Sequence, residues 1–310
     1  MKKIAFVFPG QGSQYIGMGK DFYDQFPTSK EVIDLASEMS GFDMKALLFE
    51  ENDQINITKY TQIAMLADEL AIWSVVRERG FQSVVNAGLS LGEYAALVAS
   101  EVMLMEDAFK VIVKRAAFMQ DAVPTGGAMT AVMGLDNTTI EGICAETEGI
   151  VSVANYNCPG QTVITGEKEA VDKAAESLKA AGAKRCMPLN VSGPFHSQLL
   201  TGAGEQLADV LKDVELYDFE IPYIANVTAD YVRDKDQVKD LLVKQISSPV
   251  RWEQSVNRMI ADGVEVFVEI GPKKSLTGFL KKIDREIPSY HVDTVSDLDE
   301  LCGSLDEEML

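Results

Sequence analysis

Apolar positions along this chain change their spacing several times, and each change marks an element. Ile4-Ala5-Phe6-Val7-Phe8 is an unbroken apolar run that stops at Pro9, the pattern of a short strand covered on both faces. From about Tyr15 to Arg79 the spacing predicts a helix-rich stretch. Residues 81–87 (FQSVVNA) read as a second short buried strand, residues 91–100 (LGEYAALVAS) as a helix, and a further helix runs from about Glu106 to Gln120. Strands alternating with helices predict an α/β fold.

Pro124-Thr125-Gly126-Gly127 breaks the chain, and the rhythm then differs. Residues 128–189 read as strand (AMTAVMGL), helix (TTIEGICAET), strand (VSVANY), a turn at Cys158-Pro159-Gly160, strand (QTVITG), helix (KEAVDKAAESLKAAG) and strand (KRCMPL). That β-α-β-β-α-β order is the ferredoxin-like unit. A helix from about Gln198 to Lys212, a strand at Ile221–Asn226, helices near 235–245 and 252–262, and an apolar strand Val264–Ile270 follow. The expected organisation is a large α/β domain of residues 1–125 and 192–310 with a small ferredoxin-like subdomain, 126–191, inserted in it. The acidic tail after Thr294 reads as a solvated helix.

Composition narrows the function. With 310 residues, 46% of them hydrophobic, the chain can bury one large core plus a smaller one. A formal net charge of −20 argues against nucleic acid or an anionic membrane as a general partner, and any anionic ligand must meet a local basic patch. The four cysteines have no C-x-x-C spacing, and neither of the two histidines sits in a ligand-spaced cluster, so no metal site is expected. The N-terminal apolar run is too short for a signal peptide and no segment is long enough to span a bilayer. A soluble cytoplasmic chain with reduced thiols is the expectation.

The chemistry concentrates in Gly88-Leu89-Ser90-Leu91-Gly92. Glycines flanking a serine are ordinary turn residues, but here the pentapeptide joins a predicted strand to a predicted helix, the setting of a nucleophile elbow. Ser90 is therefore a candidate nucleophile, and it needs a base. His196, in a loop just before a helix, is the candidate; His291, in a short apolar strand, reads as structural. Pro9-Gly10-Gln11-Gly12-Ser13-Gln14 invites a nucleotide reading and fails it, because Tyr15 stands where a dinucleotide fingerprint needs glycine and Met18 where a phosphate loop needs lysine. A glycine-rich loop at the end of a strand can instead offer a backbone N–H to a reacting carbonyl, so the amides of Gln11 and Leu91 are candidate oxyanion donors. Arg115 lies in a helical pattern, where it either faces solvent or, turned into a cleft, grips a carboxylate with its planar fork.

The motifs PGQGSQ, GLSLGEY, VKRAAFMQ around Arg115, NYNCPGQ (155–161), PFHS, NVT (226–228), QISSPVRW (245–252) and EIGP (269–272) occur in an order that resembles the malonyl-CoA:acyl-carrier-protein transacylases, over roughly residues 4–285. The resemblance implies a hydrolase-like α/β domain carrying a ferredoxin-like insert. It implies Ser90 as acyl carrier, His196 as base, Gln11 and Leu91 as oxyanion donors, and Arg115 as the clamp for the malonyl carboxylate. It also implies the Gln245 backbone carbonyl as the group that orients the histidine, and Asn155 lining the cleft. Lys184 and Arg185 match basic residues of the family that face phosphate or carrier. Leu91 and Phe195, bulky neighbours of the nucleophile and base, fit malonyl rather than an α-methylated acyl group. The family usually has histidine where this chain has Leu89. The implied partners are malonyl-CoA and acyl carrier protein, with no cofactor and a monomeric enzyme. A serine acyl hydrolase, a trans-acting acyltransferase of polyketide synthesis and a non-enzymatic scaffold remain as alternatives.

Overall fold

The computed structural model describes residues 2–191 and 193–309, with side-chain burial up to residue 305; the expected domain boundary at 192 lies outside them. Ten strands form two sheets: β1 (Ile4–Phe8), β2 (Val85–Gly88), β3 (Gly127–Met133), β4 (Val151–Cys158), β5 (Gln161–Glu167), β6 (Arg185–Pro188), β7 (Tyr223–Ile224), β8 (Tyr231–Val232), β9 (Val266–Ile270) and β10 (Ser289–Val292), among the described residues. The larger sheet has the order β10-β9-β1-β2-β7-β8 and is parallel except for its β7–β8 edge. All five residues of the central β1 are buried, as an apolar run between helical layers requires. The chain is thus mixed α/β with a parallel sheet, as the sequence pattern predicts.

The helix Thr58–Glu78 is buried along almost its whole length, including the polar Gln62, Asp68 and Glu69, and packs against the helix Met105–Ala122. A helix wrapped on all sides has no solvent face, so its sequence shows only weak amphipathic periodicity.

The smaller sheet has the order β4-β5-β3-β6, with every pairing antiparallel. The helices Asn137–Glu146 and Lys168–Ala180 cover one face, placing Ile140, Val171 and Leu178 on Val132, Val153 and Ile164. Alternation along β3 sends Met129 and Ala131 the other way, into the core of the larger unit. The two units are also joined through backbone: Tyr156 N–H donates to the Val250 carbonyl at 2.9 Å, and Val250 N–H donates to the Ala154 carbonyl at 2.8 Å.

Several expectations need correction. The second strand spans only Val85–Gly88: Val84 N–H still donates to the Ile4 carbonyl at 2.8 Å, but residues 81–83 are not strand, and the Ser83 hydroxyl donates to the Asn86 side chain at 2.7 Å. The strand expected at Ile221–Asn226 shrinks to Tyr223–Ile224 because the chain turns at once, with Ala229 N–H bonding the Ala225 carbonyl. The acidic tail forms the helix Val295–Met309, but it is not solvated all round: Leu298, Leu301 and Leu305 are buried, an i, i+3, i+7 stripe hidden among carboxylates. Among the described residues no helix is long and apolar enough to cross a membrane.

Candidate active site

The site lies at the C-terminal ends of β1 and β2, where an open parallel sheet offers a crevice. Beyond β2 the chain stays paired for one more step, Leu89 N–H to the Phe8 carbonyl at 2.9 Å, then turns at Ser90 with φ 56° and enters the helix Gly92–Ala99. A left-handed serine is strained. Asn226 holds it from both sides, its Oδ1 accepting the Ser90 N–H at 2.7 Å and its Nδ2 donating to the Gly88 carbonyl at 2.6 Å. Gly92 is needed because a Cβ there would fall 2.4 Å from the Phe8 carbonyl oxygen.

His196 reaches the turn from a loop in which it too has a positive φ, 61°. Its Nδ1 lies 2.8 Å from the Gln245 backbone carbonyl and its Nε2 lies 2.8 Å from Ser90 Oγ. A carbonyl can only accept, so the proton sits on Nδ1 and the Nε2 lone pair faces the serine hydroxyl. The ring is 3% exposed. Burial, and then the nearby Arg115 charge, lower its pKa to about 4, so the imidazole is neutral and able to accept a proton at pH 7.

Arg115 is fully buried rather than on a solvated helix face. Its Nη2 donates to Ser90 Oγ at 3.0 Å and to Gln245 Oε1 at 2.8 Å, and its Nη1 donates to Gln62 Oε1 at 2.6 Å. The guanidinium carbon lies 5.5 Å from the Tyr94 ring centre. Ser90 Oγ thus accepts from Arg115 while its own hydrogen points to His196, and the cation favours the alkoxide.

A cleft of about 260 Å³ opens over Ser90 between the two units. Gln11, Gln62, Leu91, Phe195 and His196 line it from the larger unit, and Met129, Asn155 and Val163 from the smaller. The backbone N–H groups of Gln11 and Leu91 donate to no partner among the described residues, which leaves two donors at the cleft wall beside the serine. The Gln11 side chain is anchored to Thr58 Oγ1 at 3.0 Å.

Lys184 and Arg185 are not brought to the cleft. Both are exposed at the start of the edge strand β6, whose continuation reaches the cleft at Leu189 and Val191. His291 lies in β10, 3.3 Å from Asp297, remote from Ser90 in the fold. Leu89, where the resemblance leads one to expect histidine, lines the cleft with its side chain beside Gly10. Gln62, Glu93 and the side chains of Asn226 and Gln245 belong to the site without having been singled out for it in sequence. Gln62 and Glu93 could be found only as polar residues inside apolar helical stretches, a signal that Asp68 and Glu69 share. Among the described residues no group of three or more His, Cys, Asp or Glu side chains is arranged to hold a metal ion.

A nucleophile on a strained strand–helix turn, a neutral imidazole aligned by a carbonyl, and two free amides define a serine-dependent acyl-transfer centre. Residues 5–297 match the acyl transferase domain, and the chain belongs to that family. It is 42% identical over 313 residues to the malonyl CoA-acyl carrier protein transacylase of Bacillus subtilis, 99% of each chain being covered. The crystal structure of the Clostridium perfringens transacylase superposes with a TM-score of 0.96 at 39% identity, covering 99% of this chain and 98% of that one. A malonyl-transacylase in complex with its type II polyketide acyl-carrier protein superposes with a TM-score of 0.95 at 40% identity, covering 98% and 100%.

Proposed function

We propose that this chain moves the malonyl group from malonyl-CoA to the phosphopantetheine thiol of an acyl carrier protein, as a cytoplasmic monomer that supplies fatty acid synthesis. The observation that carries the reading is the double contact on Ser90 Oγ, His196 Nε2 on one side and the Arg115 guanidinium on the other. A base alone would serve any acyl group; a buried cation beside the nucleophile suits one that carries its own carboxylate. The two terminal Arg115 nitrogens are capped by neutral acceptors, Gln62 Oε1, Gln245 Oε1 and Ser90 Oγ, which a malonyl carboxylate can outcompete.

Ser90 Oγ attacks the thioester carbonyl as His196 Nε2 takes its proton, and the Gln11 and Leu91 amides receive the oxyanion. Collapse breaks the C–S bond, and His196 returns the proton to the departing CoA thiolate. The carrier thiol then attacks the malonyl-serine ester with its proton passing to His196, and Ser90 is regenerated. Atoms balance in both halves with these groups alone, so the scheme calls on no cofactor. Asn155 and Phe195 narrow the cleft, which favours the pantetheine thiol over water. In this scheme residues 126–191 act as a subdomain that supplies the second wall.

Mass spectrometry after incubation with malonyl-CoA tests the reading. A malonyl adduct on Ser90 that disappears when holo carrier protein is added is expected. An adduct lost equally fast to water alone would make the chain a hydrolase. Offering carriers of fatty acid and polyketide synthesis side by side separates the two pathways, the fatty acid carrier being the faster acceptor.

A further inference from the structure

Arg115 poses an electrostatic problem that the transfer scheme leaves open. Its guanidinium is 0% exposed and no carboxylate touches it: all its hydrogen-bond acceptors are neutral, and its Nε has no partner among the described residues. A buried cation without a counter-charge is costly. A carboxylate does lie one side chain away. Glu93, also 0% exposed, accepts from Gln245 Nε2 at 2.6 Å and from Asn226 N–H at 3.2 Å, while its Oε1 faces the Tyr223 hydroxyl without a well-formed hydrogen bond to any of the described residues. The Gln245 amide stands between the two charges. Its orientation is not arbitrary, because arginine has no acceptor: the oxygen must face Arg115, and Nε2 must face Glu93 and the Ser90 carbonyl. The amide dipole therefore has its negative end toward the cation and its positive end toward the carboxylate.

We propose that Glu93 is a positioning residue that serves, through the Gln245 amide, as the stand-in counter-ion of Arg115 before malonyl binds, and that the arriving malonyl carboxylate displaces it from that role and drives a proton onto it. The inference rests on Arg115 as the malonyl clamp. With Arg115, Glu93 and malonyl all charged, the buried region would hold one net negative charge; protonating Glu93 from solvent restores neutrality. The groups facing Glu93 are few: Arg115 from the helix Met105–Ala122, Tyr94 from its own helix, Tyr223 from β7 and the neutral amides of Gln245 and Asn226, with His196 beyond Gln245. Both tyrosine hydroxyls are pushed further up by burial and stay neutral. Burial raises Glu93 to about 7, with Gln245, Asn226 and Arg115 pulling the other way, so the carboxyl is poised where losing part of the Arg115 attraction changes its charge.

Loading itself is proton-neutral, since the serine hydrogen leaves on the CoA thiol. Any proton taken from the buffer therefore reports a change elsewhere. The experiment is a single turnover of wild-type enzyme in weak buffer with a pH indicator, at pH 7, with malonyl-CoA and separately with acetyl-CoA. Uptake of about half a proton per Ser90 is expected with malonyl-CoA and almost none with acetyl-CoA, which brings no carboxylate. Equal uptake with both, or none with either, overturns the proposal. Glu93→Gln keeps an acceptor for Gln245 Nε2 and Asn226 N–H while removing the proton site. In that variant the malonyl uptake should vanish, and KM for malonyl-CoA should stop rising with pH above 7, whereas a merely structural role would worsen malonyl and acetyl transfer alike and leave the pH profile in place. Arg115→Ala separates the two levels: equal loss of malonyl and acetyl transfer removes the clamp reading, while a clamp that survives without malonyl-linked uptake removes only the Glu93 inference.

Discussion

Gly88 and Gly92 approach so closely that a Cβ on Gly88 would lie 1.9 Å from the Gly92 carbonyl carbon and 1.9 Å from its oxygen. Both atoms belong to backbone, so nothing flexible can yield. Gly88→Ala should destabilise the fold by about 3 kcal/mol or more and displace Ser90, read as a lowered Tm together with lost acyl loading. A variant as stable and as active as the parent would show that the turn can open.

Ser90→Ala should abolish covalent loading. His196→Ala should slow it by roughly 10⁴-fold, because serine and base act as one unit. Rapid-quench measurement of the malonyl-enzyme gives the rate, and a near-parental rate without the imidazole would place the base elsewhere.

Arg115→Ala should cost malonyl transfer roughly 100-fold more than acetyl transfer, since a buried ion pair is lost in one case and not in the other. The ratio of kcat/KM for the two CoA esters, measured under one set of conditions, decides it. Arg115→Lys should recover little, because the fork that reaches Gln62, Ser90 and Gln245 together is lost.

The depressed His196 pKa sets the acid limb of activity. A base with pKa about 4 in place of 6.5 is deprotonated throughout the neutral range. With acetyl-CoA, kcat/KM should stay flat from pH 8 to about 5 and fall tenfold per pH unit only below about 4. Protons bind the unfolded histidine before the folded one, so the same group lowers stability as pH falls from 6.5 toward 4. An acid limb centred near 6.5 would mean that the imidazole is solvated in the working enzyme.

Glutamate at both Lys184 and Arg185 should raise KM for the carrier about tenfold and weaken its salt dependence, while loading from malonyl-CoA at low substrate stays near parental. A second basic run, Lys273, Lys274, Lys281, Lys282 and Arg285, is likewise exposed, and Lys282 Nζ donates to Gln161 Oε1 of the smaller unit at 2.9 Å. If only reversal of that run raises KM, the carrier docks there.

Much of the architecture was legible because the periods differ. β1 is an apolar run, residues 127–188 switch between two-residue and helical spacing, and Gly-x-Ser-x-Gly marks a strand–helix joint. The legibility failed where the chain turned sooner than its apolar residues suggest, as after β7, or where charge masked a stripe, as in the C-terminal helix. At the site, Ser90 and His196 carry recognisable chemistry, but the roles of Gln62, Asn226 and the Gln245 side chain depend on distances of 53, 136 and 155 residues along the chain. Neutral amides far apart in sequence have no spacing rule; only the folded chain shows which cation or carbonyl each one meets.

The backbone seam between β4 and Val250 lies five residues beyond Gln245, the residue whose carbonyl aligns His196 and whose side chain touches Arg115. The wall that bounds the cleft from the smaller unit and the loop that aims the base are therefore parts of one frame. Prying the cleft wider for a larger acyl chain would pull on that loop and turn the imidazole away from Ser90. Under the proposed transfer scheme, selection by size and readiness for reaction become a single mechanical property, and enlarging the acyl range by engineering calls for smaller side chains on a fixed wall rather than for a wall that gives.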